Sequence, residues 1–583
     1  MGISLFTSLI LALTWTPNLS QYLIGRKKKG SEGEGADSEP EEESMSQLLA
    51  AEEASLGVFF LRVVNFHERW LRRALGKPLW LAGISLLLVI ASYVCYRASG
   101  SDLMPEMDEG GFTVDYLTPA GTSLAETNRM VTHIEKIISS VPEVESTSRR
   151  TGLELGLAAV TEANRGDILV RLKKDRGRNI DEVMADVRSR ITTQEPAVEL
   201  EFIQVLQDMI GDLTSAPEPV QIKLFSEDAE LLQTWAPKVA EGIGKIHGVV
   251  DVLDGIENTI SGPAVTFQIN PGVAARAGFT PQEIATDAAA LLEGEPAATP
   301  VISNDRPYTV RVRFPAGSRV SLEAMRDTLL TSSSGRTATL GALATIIEQP
   351  PQTEIRRENL QRDVAVTARL EGIDLGSGMS AVQKAVDGLH LPSAIRVEYG
   401  GTYKEEQKSF RDLVFVLILA IVLVFIVLLF EFGTFAAPVA ILASALLSTS
   451  GVFIALVITG TTFNVSSFMG MIMVIGIVAK NGILLLDADQ KFRRLGLSAE
   501  DAMLQASRRR LRPIVMTALA TMAGMLPLAF AWGAGSQMLQ PLAIAVIGGI
   551  LISMVLSLVI TPAVHYYLSH QETKVEELSS ARL

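Results

Sequence analysis

The sequence predicts an α-helical membrane bundle that carries a large α+β extracytoplasmic domain, and three observations support this. The chain has 583 residues, of which 48% are hydrophobic, and a mean hydropathy of +0.28, too apolar for an ordinary water-soluble enzyme. The apolar residues are gathered into seven stretches: Ile3–Leu23, Leu79–Val94, Leu413–Phe430, Ala436–Ile458, Val465–Leu486, Pro513–Trp532 and Leu542–Val564. A bilayer core needs roughly 20 such residues. Between the second and third stretches lie about 310 polar residues, Arg97 to Arg411, in which short alternating segments take turns with helical ones.

Basic residues set the orientation of the spans. They cluster at Arg26–Lys29, at Arg69, Arg72, Arg73 and Lys77, and at Lys491, Arg493, Arg494, Arg508–Arg510 and Arg512. All three places belong on the cytoplasmic side. The polar domain and the amino terminus then lie outside, and the carboxy terminus inside. A net charge of −14 argues against a nucleic-acid partner. Ser31–Glu53 holds nine acidic and no basic residues, a low-complexity linker by composition. Cys95 is the only cysteine, so no intrachain disulfide is possible.

Within the polar region, Phe112–Leu117 reads as a strand, Ser123–Ser140 as a helix of 3.6-residue period and Val144–Arg149 as a strand. Asp167–Leu172, Ile180–Thr193 and Val198–Ile203 repeat that order, giving βαββαβ, the ferredoxin-like arrangement. A second such unit is split. Val220–Phe225, Ala229–Ile246 and Val249–Val252 form one part; Val364–Arg369, Gly378–Leu389 and Ala394–Tyr399 form the other. The insert, about Gly255–Glu354, reads as a separate small α/β domain. Ahead of the second span, Val58 to Leu71 reads as an amphipathic helix on the cytoplasmic membrane face, in contact with lipid.

The first and last spans resemble each other. Leu13–Leu23 and Leu558–Leu568 are identical at five of eleven positions, including Thr-Pro and the closing Tyr-Leu. Transporters are often built from repeated halves, so the first span is expected to be the last helix of a preceding repeat.

Three residues are candidates for chemistry inside the membrane. Lys480 stands in mid-span in Val478-Ala479-Lys480-Asn481-Gly482-Ile483, where a lysine costs a few kcal/mol and calls for a partner. Asp487 follows seven residues later on the same helix face, near the cytoplasmic boundary. The sixth span opens Arg510-Leu511-Arg512-Pro513-Ile514-Val515-Met516-Thr517, with Pro513 expected in the first helical turn. Arg510 and Thr517, seven apart, point the same way, as parts of a proton path would.

At these residues the chain resembles the resistance-nodulation-division (RND) efflux permeases, of the acriflavine-resistance or heavy-metal type. The resemblance extends to Pro105–Gly110, Arg357-Glu358-Asn359, Gly533–Ser536 and the final Thr-Pro helix. It implies that the seven spans are the sixth to twelfth of twelve and that the chain is a carboxy-terminal half. It also implies that Lys480 pairs with two aspartates of a helix upstream of Met1, assisted by Arg510 and Thr517. The polar domain then divides into ferredoxin-like porter subdomains and an inserted docking subdomain. The expected divisions are 1–24, a membrane helix; 25–78, the cytoplasmic linker and amphipathic helix; and 79–98, a membrane helix. The first porter subdomain follows at 99–216, the second at 217–254 and 355–410, and the docking subdomain at 255–354. A five-helix bundle at 411–567 and a cytoplasmic tail at 568–583 complete the chain.

The resemblance implies proton/substrate antiport across the bacterial inner membrane. It further implies a homotrimer, the missing amino-terminal half, a periplasmic adaptor and an outer-membrane channel. Hydrophobic or amphiphilic compounds are the expected cargo, with heavy-metal cations as the alternative. The metal branch uses methionine clusters for soft cations, and here one such place is Asp115 and another falls near Met209, a single thioether that could line a substrate path. None of the six histidines shows a ligand spacing with Asp, Glu or Cys, and no cofactor, metal-site or enzyme motif is found. A non-transporting scaffold or sensor of the same fold is the reading from another class, and the cost of Lys480 argues against it.

Overall fold

A computed structural model describes residues 58–580 except 153–161, 215–217, 257–258, 261, 293, 351–353 and 534, without the side chains of 58–61, 210, 212–214 and 570–580. The expected first span and acidic linker lie outside the described residues.

Helix α1 (Val58–Gly76) and helix α2 (Pro78–Ala98) meet at Lys77. Pro78 opens α2 without loss, because its missing N–H would have no partner there. Leu71, Ala74 and Leu75 at the end of α1 are buried in a cluster with Leu81, Leu504, Leu556 and Ile560.

The polar region then builds β1 (Gly111–Leu117), α3 (Leu124–Ser139), β2 (Val144–Thr151), β3 (Arg165–Leu172), α4 (Ile180–Gln194) and β4 (Glu199–Gln204). Ser123 and Asn179 cap the two helices through their side-chain oxygens. The sheet order is β2-β3-β1-β4, antiparallel throughout. Alternation of β1 sends Phe112, Val114 and Tyr116 into the core against Val131, Ile134 and Ile138 of α3. Gly111, Thr113, Asp115 and Leu117 face the other way.

A short helix, α5 (Val205–Thr214), leads to β5 (Val220–Phe225), α6 (Ala229–Gly244) and β6 (Val249–Leu253). The chain departs through β7 (Ala264–Ile269), α7 (Pro271–Ala277), α8 (Pro281–Leu292), several short elements and β8 (Ala344–Gln349). β7 pairs with β8, and Ala274, Phe279, Ile284, Leu291, Leu330 and Leu343 give this excursion a core of its own. It returns as β9 (Arg356–Glu358), β10 (Gln361–Leu370), α9 (Leu375–Gly388) and β11 (Arg396–Gly400). The second sheet runs β9-β10-β5-β11, with β6 also on β10. Two arginines tie the sheets together: Arg188 of α4 to Asp251 at 2.8 Å, and Arg369 of β10 to Glu201 of β4 at 2.7 Å.

Five more helices follow: α10 (Thr402–Phe432), α11 (Ala436–Thr459), α12 (Val465–Arg494), α13 (Ala499–Ala529) and α14 (Gln540–Ser580). With α2, six described helices are long and apolar enough to cross a membrane. Glycine allows the closest crossing: a Cβ on Gly451 of α11 would lie 2.3 Å from the carbonyl oxygen of Gly548 on α14, and the reverse also holds.

Several expected boundaries are corrected. The helix containing Pro513 begins at Ala499, capped by Ser498, so Pro513 lies inside it and not in its first turn. Membrane helices tolerate such a proline because neighbouring groups satisfy the freed carbonyl. The apolar run from Leu413 belongs to a helix that starts at Thr402, and the last helix continues to Ser580. Hydropathy marks the edge of the bilayer, and the hydrogen-bonded helix does not stop there.

A tight junction joins bundle and polar region. Asp102 N–H donates to the Phe463 carbonyl and Phe463 N–H to that of Gly100, both at 3.1 Å. Ser101 N–H donates to Asp374, the cap of α9, at 3.0 Å, and Leu375 N–H donates to Asp102 at 2.8 Å. Burial, and next to it the charges of Asp374 and Glu106, push the Asp102 carboxyl up to about 7 against the hydrogen bonds it accepts.

Candidate functional site

Lys480 lies midway along α12, a helix of 30 residues started by a reciprocal cap between Asn464 and Ser467. The helix is not buried evenly. Gly482 packs against Ile441 of α11, while Gly476, just over one turn before Lys480, has open space around it. Lys480 is exposed and lines a recess of about 380 Å³ with Leu423, Val427 and Leu428 of α10 and Gly476, Ala479 and Ile483 of its own helix. Every other side chain there is apolar. Among the described residues Lys480 makes no ion pair. An ammonium in mid-membrane with hydrocarbon on all sides costs roughly 2.5–3.5 kcal/mol on insertion scales.

Arg510 is half-buried on α13, and Thr517, on its exposed side, donates to the Ile514 carbonyl at 3.0 Å. No described hydrogen bond or ion pair joins Lys480, Arg510 and Thr517. Asp487 pairs with Lys491 at 2.8 Å, one turn on, as an exposed surface pair. Met209 stands 53% exposed on α5, in neither a loop nor a core.

The structure also assembles groups that spacing does not reveal. Asp115 on β1 lies in register with Asp167 on β3 and Glu201 on β4, so three carboxylates cross the outward face of the first sheet in one row. Arg150 pairs with Asp167 at 2.8 Å and Arg369 with Glu201 at 2.7 Å. Asp115 stands between them. Burial first, then the charges of Glu201, Asp208 and Asp167, push its carboxyl up to about 7, against the pull of Arg369. Among the described residues, no group of three or more His, Cys, Asp or Glu is placed to hold a metal ion. Two of the six histidines each meet a single carboxylate: His133 meets Glu195 at 2.7 Å and His565 meets Asp489 at 3.7 Å.

Residues 1–569 match the AcrB/AcrD/AcrF family as a whole. The cobalt-zinc-cadmium resistance protein CzcA of Cupriavidus metallidurans is 29% identical over 526 residues, covering 88% of this chain and 49% of that protein. The multidrug resistance protein MdtC of Erwinia amylovora is 27% identical over 529 residues, covering 89% and 50%. A crystal structure of a heavy metal efflux pump superposes with a TM-score of 0.76 at 26% identity, over 88% of this chain and 52% of that one. The chain thus spans about half the length of the curated relatives it matches. It belongs to the AcrB/AcrD/AcrF family of RND permeases, multi-pass proteins of the bacterial inner membrane with a large periplasmic domain.

Proposed function

We propose that this chain acts as one half of a proton-coupled efflux permease, with Lys480 as the residue that couples proton movement to transport. The observation that carries the proposal is the exposed, unpaired ammonium in an apolar recess on α12. Such a group is stable in a membrane only against a carboxylate, and here that carboxylate comes from the other half of the pump. Protonating the carboxylate removes the attraction, α12 shifts, and the porter sheets above it move. Arg510 and Thr517 line the same path from α13. The working assembly is a trimer of complete permeases with an adaptor and an outer-membrane channel.

For the cargo, we favour a divalent metal cation over the amphiphilic compounds that the sequence alone suggested. The support is the metal-resistance names of several relatives; the row through Asp115, which forms no metal-holding cluster, gives a passing cation weak contact at most. Amphiphile export stays as the second reading, favoured by the MdtC relatives.

The test is co-expression of this chain with a complementary amino-terminal half in a pump-deficient host. Together they should restore tolerance to cobalt, zinc or cadmium, and neither half alone should. Tolerance conferred by this chain alone would refute the half-pump reading, and restored drug tolerance without metal tolerance would refute the cargo.

A further inference from the structure

Lys480 is not the only ionisable group that α12 carries into the bundle. Asp489 follows it by nine residues, two and a half helical turns, and so projects from the opposite face. There it is completely buried, and neither carboxylate oxygen makes a hydrogen bond of good geometry. Arg493 approaches with Nε 2.8 Å from Oδ2, and His565 of α14 with Nε2 3.7 Å from the same oxygen. His565 is 5% exposed, its Nδ1 is buried without a hydrogen bond of good geometry, and the ring lies beside the Ala436 backbone of α11. The buried Ser507 hydroxyl of α13 likewise lacks one.

His565 ends a row. Ser553, Ser557, Thr561 and His565 recur every fourth residue along α14, with exposures of 0, 0, 1 and 5%. That spacing sets all four on one buried face, spanning roughly 18 Å of helix axis. Ser553 donates to the Ile550 carbonyl at 2.9 Å and Ser557 to that of Ser553 at 2.6 Å. Each hydroxyl spends its hydrogen within its own helix and keeps its lone pairs free to accept another.

We propose that Asp489, flanked by His565, is a second proton-binding site of this chain, enclosed within the bundle on the face of α12 opposite Lys480 and loaded from the cytoplasmic side. Access runs past Arg493, whose side chain is 28% exposed. A hydronium ion from the cytoplasmic side gives its proton to one carboxylate oxygen: its own O–H bond breaks, a new O–H bond forms on Asp489, and water leaves. The resulting acid no longer holds Arg493 by charge, and its new donor can turn to the imidazole once the 3.7 Å gap closes by about 1 Å. Charges gather at this end of the bundle. On α12 itself stand Arg493, Arg494 and, on the exposed side, the Asp487–Lys491 pair. α13 brings Glu500, Asp501, Arg508, Arg509, Arg510 and Arg512, α10 ends near Glu431, and α11 contains no Asp, Glu, Lys, Arg or His. The site is complete within this chain and depends on neither Lys480 nor a partner half.

The test uses the full 583-residue chain in lipid nanodiscs, followed by infrared difference spectroscopy as pH is cycled across the range where carboxyls and imidazoles titrate. A protonated-carboxyl C=O stretch should appear on acidification. Asp489→Asn should remove it, Asp489→Glu should move it in frequency, and His565→Gln should change both its frequency and its pH midpoint. Asp487→Asn, at the exposed pair, should leave it alone. If Asp489→Asn does not fold, the frequency shift in Asp489→Glu still assigns the band. A band indifferent to every substitution at 489, or no band at all, would make Asp489–Arg493 a static ion pair and overturn the proposal.

Discussion

Asp115→Asn is expected to stabilise the chain while impairing it, and the sign of the pH dependence gives the test its force. Burial holds the folded-state carboxyl at about 7, against 3.8 when unperturbed. Its midpoint is therefore higher folded than unfolded. Between those values the folded chain binds the extra proton, and stability falls as pH rises through the window. Above it, keeping Asp115 ionised costs up to about 4 kcal/mol, which partial solvent contact and relaxation reduce to about 1–3 kcal/mol. Asparagine has the same shape and no charge, so it should recover that amount at about pH 8 and almost none at about pH 4. Thermal unfolding of the detergent-solubilised chain, followed by circular dichroism at both pH values, should show a rise of several degrees at the higher pH alone. In the reconstituted pump the same substitution should lower metal export. An equal shift at both pH values, or a loss of stability at pH 8, would refute the assignment of Asp115 as a strained buried carboxyl.

In the assembled pump, Lys480→Ala should reduce proton-driven efflux from proteoliposomes to near background while assembly survives, and Lys480→Arg should also be impaired because a planar fork does not replace a compact ammonium. Thr517→Ala should be milder, as a water can stand in for the hydroxyl. Gly451→Leu should force α11 from α14, since even a Cβ would meet the Gly548 carbonyl at 2.3 Å; a loss of about 1–3 kcal/mol or more should appear as a lower melting temperature. Met209→Ala, at an exposed position, should leave tolerance to metals and drugs nearly intact in growth assays.

The parts of the fold that a local period encodes could be read from the sequence. The helix expected over Ser123–Ser140 occupies Leu124–Ser139, because apolar residues every 3.6 positions and the Ser123 cap act within a few residues of each other. The start of α13 could not be read this way. Its apolar run begins near Pro513, but the helix begins at Ala499, where the Ser498 cap and two acidic residues hold its first turn in polar surroundings. The site divides similarly. Lys480 stands out in any reading, since a cation within an apolar run is its own signal. Asp489 and His565 meet only because α12 packs on α14, and the row through Asp115 exists only in the register of three strands. No spacing in the sequence carries either.

The junction at residues 100–102 also constrains how motion can pass between the two parts of the molecule. Phe463 immediately precedes the cap of α12 and is bonded to Gly100 and Asp102, while Ser101 and Asp102 are bonded to the first residues of α9. The strand of chain between α2 and those bonds is about three residues, too short to store more than roughly 10 Å of slack. Any axial shift of α12 would pull on residues 100–102, and through them on the cap of α9.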